Sequence, residues 1–139
     1  MKTIRQLMLV IVMALFMSSA AIAEEKATQA VPAGPTAAYK AKFPITVSGG
    51  DYDLLTVILD FPPGATIPMH YHGGQVLATV LSGEMTLTEK GTQRIIKTGE
   101  SWTENTGDQH SAVNAGMVNT RVAVSILLPK GGEVTTMIK

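Results

Sequence analysis

The chain has 139 residues, 45% of them hydrophobic, no cysteine, and zero formal net charge from 11 basic and 11 acidic side chains. The missing cysteines exclude disulfides, thiolate metal ligands and a thiol nucleophile. Charge that is balanced and free of lysine or arginine blocks argues against nucleic acid or an anionic membrane surface as a partner.

Lys2 and Arg5 precede an apolar run from Leu7 to about Met17, followed by small residues ending Ala21-Ile22-Ala23. This pattern reads as a secretory signal peptide, residues 1–23, cleaved after Ala23. The apolar run is shorter than the ~20 residues that span a bilayer. The expected product is therefore exported, periplasmic or secreted, with no stable membrane association after cleavage. From Glu24 to Tyr39 the chain is Ala, Pro, Thr and Gly with little apolar bulk, which predicts a flexible leader.

Residues 40–139 read as one all-β domain. Short runs rich in β-formers recur at about Phe43–Val47, Leu54–Phe61, Thr66–His72, Gln75–Leu81, Met85–Thr88, Gln93–Lys97, Ala112–Asn114, Arg121–Leu128 and Val134–Ile138. Glycine and proline clusters punctuate them, and β-hairpins are expected across Gly83 and Gly91. Val76, Ala78 and Val80 share one strand face, and Val122, Val124 and Ile126 share another, as the inner wall of a closed barrel requires. The scattered methionines Met69, Met85 and Met117 read as core filler.

All three histidines fall in two glycine-bracketed segments: GATIPMHYHGGQVLATVLSG from Gly64 to Gly83, and GESWTENTGDQHSAVN from Gly99 to Asn114. Side chains two apart on a strand point the same way, so His70 and His72 can present imidazoles to one ion, and His110 on a later strand completes a face of three. Imidazole suits Fe, Mn, Ni, Co, Cu or Zn, and ligand type alone does not select among these divalent transition metals.

Both segments resemble the two motifs of the cupin superfamily. Gly64, His70, His72 and Gly83 match the first, and Gly99, Gly107, His110 and Asn114 match the second. The resemblance implies a single jelly-roll-like cupin β-barrel with a metal on His70, His72 and His110, and also a homodimer paired through exposed sheet edges. Two positions depart from the motifs. Val76 stands where the family's acidic ligand is usual, and Asn105 replaces a proline. Three neutral imidazoles without that carboxylate leave the full divalent charge and more open coordination positions.

Strand parity puts Trp102 and Glu104 on one face, and the resemblance turns Glu104 inward. There it is a replacement metal ligand, a general base with a pKa raised by apolar surroundings, or a rim carboxylate. Gln75 either reaches the metal or a bound water or is simply solvated, and Asn114 either orients His110 or ends a strand. No cationic anchor stands near either motif unless Arg94 or Arg121 points inward. Two functions remain open: an oxygenase-like enzyme acting on a small organic substrate, with Glu104 managing protons, and a metal- or ligand-binding module without turnover.

Overall fold

The computed structural model describes residues 33–139, so the expected signal peptide and residues 24–32 of the expected leader lie outside the described residues. Ten strands follow in chain order: β1 (Thr36–Val47), β2 (Gly50–Phe61), β3 (Thr66–Tyr71), β4 (Gln75–Ser82), β5 (Glu84–Glu89), β6 (Thr92–Lys97), β7 (Ser101–Glu104), β8 (His110–Val113), β9 (Thr120–Pro129) and β10 (Thr136–Met137). They form two five-stranded sheets, ordered β1-β2-β9-β4-β7 and β10-β3-β8-β5-β6.

The all-β expectation holds, but the sheets face each other without closing into one hydrogen-bonded barrel. Alternation in sequence specifies one buried face per strand, and a sandwich uses such a face just as a barrel does. A second correction concerns Gly83. It carries φ +77 at the step from β4 to β5, which lie in different sheets, so the chain changes sheet there instead of making a hairpin. Gly91 does turn a hairpin, between β5 and β6. Lys90 and Gly91 both have positive φ, as a tight two-residue turn matched to strand twist demands. The third correction is at the leader, where β1 begins at Thr36 and pairs along its whole length with β2.

Inward residues alternate with outward ones along each central strand. In β4, Val76, Ala78 and Val80 are buried between outward Leu77 and Thr79; in β9, Val122, Ile126 and Leu128 are buried. Met85, Leu87, Ile96 and Ala112 supply the opposing wall from the second sheet. Only Met85 among the three methionines expected as filler is in the core, since Met69 and Met117 are exposed at loop-proximal positions.

At the end away from the histidines Asn114 is fully buried; its Nδ2 donates to the Phe61 carbonyl at 2.8 Å and the Val118 carbonyl at 2.7 Å, and its Oδ1 accepts from Gly116 N–H. At the other end the loops after β3 and β7 meet, joined by Gly107 N–H donating to the His72 carbonyl at 3.0 Å. A side chain at Gly73 would strike the Glu133 backbone and one at Gly74 the Leu127 backbone, so the Gly73-Gly74 pair lets the first histidine loop pass close under the C-terminal segment.

Candidate metal centre

His70 and the flanking His72 come from β3, and His110 opens β8, its neighbour in the same sheet, directly opposite His70 in the register. All three are buried, and one ring nitrogen from each lies within 4.8 Å of the others. Two metal–nitrogen bonds of ~2.0–2.1 Å bridge such a gap after a small inward movement of the rings.

The tautomers are fixed by the backbone. His70 Nδ1 lies 2.7 Å from the Pro68 carbonyl, His72 Nδ1 2.7 Å from the Val134 carbonyl, and His110 Nδ1 3.0 Å from the Asp108 carbonyl. A carbonyl only accepts, so each Nδ1 donates and each Nε2 turns its lone pair to the interior. Burial lowers the pKa of His70 and His110 from the usual histidine value, against the opposing pull of their carbonyl partners, which keeps both rings neutral near neutral pH.

Glu104, at the end of β7, meets these lone pairs. Its Oε2 lies 3.1 Å from His110 Nε2 and 3.5 Å from His72 Nε2, and it is buried without a hydrogen-bond partner among the described residues. Its Oε1 accepts from the Trp102 indole N–H at 2.7 Å. Burial raises the Glu104 pKa, while the Trp102 hydrogen bond works the other way. The Nε2 lone pairs of His72 and His110 therefore face a carboxylate oxygen, and with Glu104 ionised none of the three atoms carries a hydrogen, an arrangement that a shared cation resolves.

Val76, at the usual position of the acidic ligand, pairs directly with Glu104 across the β4–β7 ladder. The carboxylate thus enters from the adjacent strand at the same level of the sheet. Trp102 lies one pleat along β7, on the same face, where it orients the carboxylate. The other two sequence candidates lie apart from the cluster. Gln75 occupies an outward position of β4 and contacts the Asn105 side chain at 3.4 Å, because strand alternation gives the inward direction to Val76. Asn114 is committed to Phe61, Val118 and Gly116, so it latches a loop and makes no hydrogen bond to His110.

A cavity of about 290 Å³ opens from the cluster and is walled by Leu55, Val57, Leu59, Phe61, Ile67, Val76, Ala78, Met85, Trp102, Ala112, Val122, Val124 and Ile126. Val80, expected on this wall, lies deeper in the core. Arg94 and Arg121 point outward, Arg121 in a two-bond pair with Asp60 and Arg94 4.0 Å from Glu89. Neither arginine supplies a cation to the cavity, but Lys40, outside both motifs, lines it from β1. It lies far from both motifs, in a stretch adjoining the expected leader, so motif-centred reading passed over it. Val134 was missed for a related reason: its contribution to the site is a backbone carbonyl, which leaves no mark in side-chain pattern.

Residues 57–127 match the family described as the Cupin domain. The chain belongs to the cupin family. Its fold is similar to that of an uncharacterised conserved protein with a double-stranded β-helix domain from Klebsiella pneumoniae, with TM-score 0.54 and 23% identity over 73% of this chain and 86% of that one. It is similar also to a cupin superfamily protein from Desulfitobacterium hafniense, with TM-score 0.51 and 13% identity over 67% of this chain and 81% of that one. Recombinant oxalate oxidase in complex with glycolate gives TM-score 0.58 and 21% identity over 76% of this chain, which spans only 56% of that enzyme's length. Identities this low establish a shared fold and nothing about substrate. No curated protein matches the sequence significantly.

Proposed function

We propose that this protein is an exported metal-dependent cupin in which His70, His72, His110 and Glu104 hold one divalent transition metal, and that it acts as an oxygenase-like enzyme on a small organic substrate. The observation that carries the metal reading is the close grouping of three buried histidines, each with Nδ1 committed to a backbone carbonyl, with the partnerless Glu104 Oε2 3.1 Å from His110 Nε2 and 3.5 Å from His72 Nε2. A bound ion of this kind supplies a Lewis acid and, where the metal is redox-active, one-electron chemistry. The donor set of imidazoles and one carboxylate fits iron, manganese, nickel, cobalt, copper or zinc.

The side chains have distinct tasks. Trp102 holds one carboxylate oxygen so that the other faces the rings, and the apolar wall excludes water from the reacting end of the cavity. Among the described residues Glu104 is also the only carboxylate lining the cavity, so it is the group placed to accept or return a proton there. The similar fold of oxalate oxidase in complex with glycolate supports including small organic acids among the candidate substrates. The signal-like segment ending at Ala23 supports export.

The test has two stages. Elemental analysis of protein purified from its native compartment should return about one transition metal per chain. Oxygen uptake should then be measured with that metal restored, across flavonols, diketones, thiols and small carboxylic acids. Uptake with one class supports the enzyme; metal bound with no uptake in any class leaves a binding module, and no metal removes the proposal.

A further inference from the structure

The cavity has a second polar feature, remote in sequence from the histidines. Lys40, Val57, Val124, Ala78 and Trp102 form one continuous row of register partners across the inner face of the first sheet. The row crosses four strand spacings, about 19 Å along the sheet. Lys40 stands on one edge strand and the Trp102–Glu104 pair on the other. Lys40 is exposed yet lines the cavity, which places it where the cavity meets solvent.

The neighbouring lysine makes the contrast informative. Lys42, on the same face of β1, is neutralised by the buried Asp53 at 2.7 Å. Among the described residues Lys40 has no ion-pair partner and is the only basic side chain other than histidine lining the cavity. Between Lys40 and Trp102 the row is aliphatic, formed by Val57, Val124 and Ala78, all of which line the cavity.

Resting on the reading of this cavity as the substrate site, we propose that its ligand is a slim organic anion: an apolar body filling the cavity and a terminal carboxylate held by Lys40 at the mouth. An uncompensated ammonium beside an apolar wall favours an anionic end group over a neutral one of the same shape. The volume of about 290 Å³ lies at the small end for ligand cavities, so a narrow chain fits better than a broad fused-ring system.

The test uses octanoate, 1-octanol and octylamine as probes, titrated calorimetrically into the metal-free protein, with metal stoichiometry measured in parallel. Octanoate should bind more tightly than 1-octanol. Lys40→Met should weaken octanoate about tenfold and leave 1-octanol unchanged, and Lys40→Glu should turn the preference to octylamine. Octanoate binding that is no tighter than 1-octanol, or that Lys40→Met leaves untouched, overturns the proposal. Both variants alter an exposed side chain and should keep wild-type metal stoichiometry. A Lys40-dependent octanoate site in a protein that takes no metal upholds this inference while the metal reading falls. Full metal loading with octanoate indifferent to Lys40 does the reverse.

Discussion

Glu104 has two oxygens in unlike settings: one held by the Trp102 indole, the other buried against lone pairs. In the metal-free protein this is a destabilising arrangement, because an unsatisfied buried carboxylate oxygen keeps its full desolvation cost. Glu104→Gln keeps an acceptor for Trp102 and supplies an amide donor to the facing rings. The metal-free variant should therefore be more stable than metal-free wild type near neutral pH, by on the order of 1–3 kcal/mol, while its metal affinity falls. A calorimetric scan of both proteins with and without metal checks the crossing of the two effects.

The pH dependence of metal-free stability has two opposing parts. His70 and His110 have folded pKa values lowered from 6.5, so the unfolded chain takes up protons first as pH falls. Their contribution is complete above 6.5 and is lost as pH drops toward the folded values. Glu104 has a folded pKa raised from 4.5, so its contribution is complete below 4.5 and is lost as pH rises through the folded value. Denaturant unfolding across this range should give a wild-type curve in which Glu104→Gln removes only the loss on the alkaline side.

At the scale of strands, the cross-strand pairing of Val76 with Glu104 makes the carboxylate's origin exchangeable. Glu104→Val should lower metal affinity by at least about tenfold, and adding Val76→Glu should restore most of it, as competition with a metal-sensitive dye would show. Asn114 belongs to the opposite end of the sandwich, where one side chain joins the ends of β2 and β8. Asn114→Ala strands the carbonyls of Phe61 and Val118 and should cost ~2–3 kcal/mol of stability without changing metal affinity. Loss of affinity at unchanged stability would return Asn114 to the site. The hairpin at Gly91 and the inward faces of β4 and β9 were legible because turn residues and period-two alternation are local. The sheet change at Gly83 was not, since the same glycine serves a hairpin and a crossover equally well.

For the whole molecule, the two histidine segments announced themselves because a metal cluster needs rare residues at fixed strand spacing. The partition into two sheets, the Val134 carbonyl behind His72 and the inward Lys40 depend on pairing between distant strands, and no single segment encodes them. The central claim is that three imidazoles and one carboxylate share one ion. Anomalous diffraction at the zinc edge from crystals grown with zinc tests it most directly. The predicted result is one peak ~2.0–2.2 Å from a ring nitrogen of His70, His72 and His110 and from an oxygen of Glu104. An empty centre, or a peak bound elsewhere with Glu104 turned away, would contradict it.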